Sequence, residues 1–237
     1  MTTNGANFGH VSDNTQLSIA ILILENVTVT DATGPYEVLH NIPGARVQFV
    51  GETVGLKRAD SGMVSLMADY TLDEVAHPDV LVVTPGLMQS KERVLEWLRN
   101  AHETTQWTTS VCAGALLLGE AGLLKGKRAT THWGVMDQLT QVGAIPRPEE
   151  RYVRDDKIIT AAGNSAGIDM ALYLAGQIAG DETAQLIQLG MVYDPLPPYN
   201  AGSPSVVPPH LRELAIENNK EFINHMIARA QQDGLQW

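Results

Sequence analysis

Unbroken apolar runs alternate with amphipathic stretches along most of this chain. Residues 16–24 (QLSIAILIL) read as a strand buried on both faces, because the run lacks any polar alternation. Residues 80–84 (VLVVT) read the same way, and residues 46–50 (RVQFV) form a shorter strand. Between them, Asp31-Ala32-Thr33-Gly34-Pro35 opens a helix expected over 35–41, with Pro35 near its first turn. Residues 52–57 and 63–68 predict a hairpin around Asp60-Ser61-Gly62. Residues 91–103 carry Val94, Leu95 and Leu98 on one helical face.

The segment from Trp107 to Gly119 changes character midway. Its first half is β-branched and suits a strand; its second half, rich in Ala and Leu, suits a helix stopping near Gly119 or Gly122. A strand over 127–131 then leads to His132-Trp133 and a helix ending near Gly143. Strands at 151–154 and 157–160 flank an Asp155-Asp156 turn, and helices follow at 165–178 and 182–192. This alternation predicts an α/β fold: a mostly parallel sheet with helices on both faces. Past Asp194 the chain is Pro-rich and irregular, and a helix closes it over 210–231. The expected organisation is a polar, flexible arm over 1–15, one α/β domain over 16–194, and a loop and helix over 195–237. That last helix docks either on its own domain or on a partner subunit.

Composition narrows the function. Sixteen Lys and Arg stand against 27 Asp and Glu, a net charge of −11, which argues against binding nucleic acid or anionic membranes through bulk charge. A single cysteine excludes an internal disulfide and a Cys-rich zinc site, and fits a reduced, cytoplasmic setting. No apolar run is long enough to span a bilayer. Neither metal-binding His spacing nor a phosphate-cradling Gly-rich loop is present.

That single cysteine, Cys112, sits where the strand turns into the helix, followed by the small residues Ala113 and Gly114. A thiol there stands beside free N–H groups of a helix start, a place expected to lower its pKa and to hold developing negative charge. The alternative is a small buried hydrophobe. In an open parallel sheet, ligands gather beyond the strands' C-terminal ends. Asp31, Pro85-Gly86-Leu87, His132, Asn164 and Ser165 all follow expected strands and so can converge with Cys112 on one pocket. Asp31 reads equally as a helix cap, His132 as a cap, Gly86 as a turn residue, and Asp169 as a hydrogen-bonding residue.

The motifs Asp31-Ala32-Thr33-Gly34-Pro35, Ser110-Val111-Cys112-Ala113-Gly114, Leu118-Gly119-Glu120-Ala121-Gly122-Leu123-Leu124 and Arg128-Ala129-Thr130-Thr131-His132-Trp133 resemble the ThiJ/PfpI superfamily, over roughly residues 16–205. Ala166-Gly167-Ile168-Asp169 and the stretch 198–204 are similar to its isocyanide (isonitrile) hydratases. The resemblance implies the flavodoxin-like fold of class I glutamine amidotransferases, a homodimer, and no metal or organic cofactor. It implies Cys112 as nucleophile and Asp31 as its acid/base partner, with N–H groups near Gly86, Leu87 and Ala113 binding a developing anion. Three positions depart from the family pattern: Ala113 stands in place of Thr, Leu87 in place of Gly, and Asn164 in place of an apolar residue. They bear on rate and substrate scope.

The implied reaction is hydration of an isocyanide to an N-substituted formamide through a cysteine thioimidate. Two other chemistries fit the same thiol: glyoxalase- or deglycase-like action on α-oxoaldehydes, which usually pairs it with Glu, and oxidation of Cys112 in a sensor. Related transcription regulators add helix-turn-helix units; only about 30 residues follow the Pro-rich loop here, too few for two.

Overall fold

The computed structural model describes residues 16–237, and the expected arm over 1–15 lies outside them. Strands β1 (Leu17–Leu22), β2 (Ala45–Gly51), β5 (Tyr70–Thr71), β6 (Val80–Val83), β7 (Trp107–Val111), β10 (Tyr152–Asp155) and β11 (Ile158–Ala161) form one seven-stranded sheet in the order β10-β11-β7-β6-β1-β2-β5. Every pairing in it is parallel except β10 with β11.

The unbroken apolar strands are explained by the two layers they serve. In and just beyond β1, Ile19, Ile21 and Ile23 join one core cluster, while Ala20, Leu22 and Leu24 join the other. Helices α1 (Val29–Leu39) and α5 (Ser165–Ala179) cover the first face. Helices α2 (Lys91–Thr104), α3 (Gly114–Glu120) and α4 (Met136–Gln141) cover the second. Helix α6 (Asp181–Gly190) follows α5, and the long α7 (Pro209–Asp233) follows an irregular segment.

One local expectation holds with shifted bounds and two are corrected. The hairpin forms as β3 (Gly55–Arg58) and β4 (Ser65–Ala68) in its own two-stranded ladder. Helix α1 begins at Val29, six residues before Pro35. Pro35 therefore lies inside the helix and cannot donate to the carbonyl of Asp31 one turn earlier. The strand expected over 127–131 shrinks to β8 (Arg128–Ala129), which pairs with β9 (Ile145–Pro146) outside the main sheet. Beyond Ala129, side chains replace ladder bonds: the Thr130 N–H donates to Thr160 Oγ1, and Thr131 Oγ1 donates to the Cys112 carbonyl.

Candidate active site

Cys112 continues the β7–β11 pairing through its N–H, which donates to the Ala161 carbonyl at 3.0 Å. Its φ then swings to 57°, a left-handed conformation rare outside glycine, and α3 begins two residues later. The turn fits only because Gly114 lacks a side chain; a Cβ there would lie 2.2 Å from the Val83 carbonyl oxygen. Thr131 Oγ1 anchors the elbow's own carbonyl at 2.8 Å. The strand–turn–helix read from the sequence is therefore present, with the strain such an elbow stores.

Asp31 is fully buried in the first turn of α1 and is not its N-cap, which is Thr28. Its Oδ1 accepts a 2.7 Å hydrogen bond from the Asn164 N–H, while Oδ2 has no hydrogen-bond partner among the described residues. The carboxyl lies close enough to the Cys112 thiol for each to shift the other's proton affinity. Burial raises Asp31 to about 6, against the opposing pull of the Asn164 N–H and the Cys112 thiol; the Asp60 charge adds to the rise. Burial also pushes the Cys112 thiol well above its ordinary value, and the Asp31 charge pushes further; the Ala113 N–H pulls it back only in part. The expected lowering of the thiol by the helix start is thus overturned, because desolvation and a neighbouring carboxylate outweigh one N–H. Near neutral pH the pair holds one proton between them.

A cavity of about 210 Å³ opens at Cys112. Asn26, Thr28, Asp60, His132 and Asn164 line it with Ala113 and Pro85 on the sheet side, and Phe222, Ile223 and Met226 line it from α7, with Trp237 beyond. Asn26 is buried, with φ of 60°, and neither polar atom of its carboxamide has a hydrogen-bond partner among the described residues. A larger groove, about 790 Å³, runs beside it along α7 and shares Asn219 and Ile223 with the cavity.

The remaining sequence candidates divide. His132 lines the cavity and also caps the short 3₁₀ turn after it, its Nδ1 accepting from the Gly134 N–H; burial lowers its pKa. Asn164, with φ of 38°, also lines the cavity. Ser165 does not: its Oγ accepts from Arg151 on the surface. Asp169 is held by Arg151 and by the Tyr193 hydroxyl, which takes the hydrogen-bonding side of its two readings. Leu87 is corrected as an anion donor, because its N–H is spent on the Glu25 carbonyl at 2.7 Å. The Gly86 N–H has no partner among the described residues, and a Cβ at Gly86 would crowd Leu24 and the Glu25 carbonyl. Sequence reasoning missed Asn26, Thr28, Asp60 and the α7 residues. Only the apolar positions of the last helix signalled that it had to cover something.

Comparison with known proteins places this geometry. Residues 17–177 match the DJ-1/PfpI family. An isonitrile hydratase from Pseudomonas putida is 40% identical over 196 residues, 81% of this chain and 85% of that protein. The crystal structure of a ThiJ/PfpI family protein from Pseudomonas syringae superposes with a TM-score of 0.82 at 33% identity, covering 96% of each chain. Drosophila melanogaster DJ-1beta shares the fold, with a TM-score of 0.70 at 22% identity, all of it matching 76% of this chain. With its Cys-bearing elbow between a central parallel strand and a helix, this chain belongs to the DJ-1/PfpI family.

Proposed function

We propose that this protein hydrates organic isocyanides to N-substituted formamides, with Cys112 as nucleophile and Asp31 as proton shuttle. The observation that carries the reading is the buried pair itself: a buried, raised carboxyl and a raised thiol sharing one proton beside a cavity of about 210 Å³. The similarity to the Pseudomonas putida isonitrile hydratase supports the same chemistry.

Asp31 takes the thiol proton as Cys112 attacks the terminal carbon of R–N≡C, and returns that proton to the same carbon. The S–H bond is broken, C–S and C–H bonds form, and the product is the thioimidate R–N=CH–S–Cys112. Water then adds across C=N: Asp31 accepts its proton, the hydroxyl joins carbon, and nitrogen is protonated. Collapse forms C=O, breaks C–S and releases R–NH–CHO, and the sulfur recovers its proton. A carboxyl near pKa 6 suits both acid and base roles. The unpartnered Gly86 N–H is a candidate donor to developing charge, and His132 a candidate to orient water.

A thiol raised by burial reacts slowly with peroxide, which disfavours the sensor reading. The resemblance further implies a homodimer, for which Leu186, Leu189 and Val192 offer an exposed apolar strip, and the reduced thiol suits the cytoplasm. Among the described residues no helix is long and apolar enough to cross a membrane.

The test is direct. Cys112→Ala removes formamide production from cyclohexyl isocyanide while circular dichroism shows an unchanged fold. Turnover persisting in that variant overturns the covalent route, and turnover of methylglyoxal in place of the isocyanide by the unaltered protein overturns the substrate.

A further inference from the structure

The stretch that matches the DJ-1/PfpI family description ends at residue 177, yet much of the cavity wall at Cys112 comes from beyond it. Asn219, Phe222, Ile223 and Met226 reach the cavity from α7, and Trp237 reaches it from the segment after that helix. The two sides differ in chemistry. On the sheet side stand the thiol, Asn26, Thr28, Asp60, His132 and Asn164. The α7 side is apolar apart from Asn219, whose Nδ2 donates to the Gly134 carbonyl at 3.3 Å.

The wall is fastened toward its C-terminal end more than along its length. Of the 25 residues of α7 only Met226 and Ala230 are buried, in a small cluster with Leu87. Beyond α7, Gln236 exchanges two backbone hydrogen bonds with Met88, at 2.6 and 2.7 Å. The Lys91 N–H donates to Gln236 Oε1 at 2.7 Å, and Lys91 Nζ to the Trp237 backbone oxygen at 2.9 Å. Phe222 lies one turn before the first of these anchors and is 44% exposed, partly in the cavity and partly in solvent.

We propose that α7 is the element that selects the substrate: Phe222, Ile223, Met226 and Trp237 form the apolar surface on which its organic group packs, so the chain takes isocyanides bearing a compact, uncharged hydrocarbon group. The naming of the substrate rests on the function proposed above; the wall does not. A head-to-tail division of the cavity puts the reactive carbon at Cys112 and the hydrocarbon against α7. The volume of about 210 Å³ lies below the roughly 300–1,000 Å³ of sites for drug-sized ligands, which sets the limit on bulk. The Asp60 carboxylate, accepting from Thr28 Oγ1 at 2.7 Å at the cavity edge, opposes an anionic group on the substrate.

The experiment compares Phe222→Ala and Ile223→Ala with the unaltered protein by two readouts. The first is kcat/KM for 2-naphthyl isocyanide relative to isopropyl isocyanide. The second is the rate of Cys112 alkylation by N-(1-pyrenyl)maleimide relative to iodoacetamide, which requires no hydratase activity. Each variant raises both ratios about tenfold. An alkylation ratio unchanged in both variants overturns the wall. An alkylation ratio that shifts while no isocyanide is hydrated by any form upholds the wall and overturns the hydratase reading.

Discussion

The Asn164 N–H holds Asp31 Oδ1 at 2.7 Å, joining residues 133 positions apart, and Asn164 adopts φ 38°, ψ −105° in that position. The loop between β11 and α5 is thereby strained so that a main-chain donor meets a buried carboxyl. That N–H is one of the two contacts that keep Asp31 from rising further.

Because the donor is main chain, the Asn164 side chain is dispensable for it. Asn164→Gly keeps the N–H and relieves the positive φ, so it stabilises the protein by up to about 1 kcal/mol. Turnover stays within about twofold. Chemical denaturation and kcat/KM on one preparation check both, and a loss of tenfold or more in kcat/KM assigns the side chain a role of its own.

Gly114→Ala sets a methyl group against the Val83 main chain, 2.2 Å from its oxygen and 2.9 Å from its carbon. Neither atom belongs to a flexible side chain, so the elbow itself has to move. The expected cost is about 3 kcal/mol of stability, with loss of Cys112 alkylation by iodoacetamide at its normal rate. A variant as stable and as reactive as the parent shows that the elbow tolerates displacement.

The sheet was legible because parallel strands buried on both faces leave a plain mark: nine residues in 16–24 carry only two strongly polar side chains, at the start. Cys112 was legible for a related reason, since a β-branched run passing into an Ala/Leu run has to turn at the residue between them. The start of α1 was not legible. Pro35 normally sits in a first turn, and nothing local signals that burial of the preceding turn outweighs the missing hydrogen bond. Nor were Asn26, Asp60 and Phe222, whose place at the cavity depends on loops and a helix far apart in the chain. The direction of the thiol shift was misjudged because a helix start is visible in sequence and burial is not.

The pH dependence of turnover follows from the shared proton. Below about 6 Asp31 is protonated and cannot take the thiol proton, so kcat/KM for an isocyanide rises with pH and levels off above about 6. Asp31→Asn loses at least about 100-fold in kcat/KM and has no limb near 6, while Cys112 remains alkylatable. A limb near 6 that survives in Asp31→Asn assigns it to another group, with His132 the first to examine.

Stability depends on pH in the opposite sense to most carboxylates. In the folded protein Asp31 binds its proton more tightly than in the unfolded chain, about 6 against 3.8. Folded molecules therefore hold more protons across that window, and stability is highest below about 3.8 as far as this group is concerned. It is lost as pH rises through about 6, by about 3 kcal/mol in all. Asp31→Asn cannot ionise and its Oδ1 can still accept from the Asn164 N–H, so its stability does not decline across pH 4–6. Its advantage over the parent grows with pH and reaches about 2 kcal/mol at pH 7, part of the gain being offset by an amide donor placed beside the thiol. Urea denaturation at pH 4, 5, 6 and 7 measures the difference curve. A flat difference shows that Asp31 ionises as easily inside the protein as outside it, and removes the physical basis for its service as both acid and base.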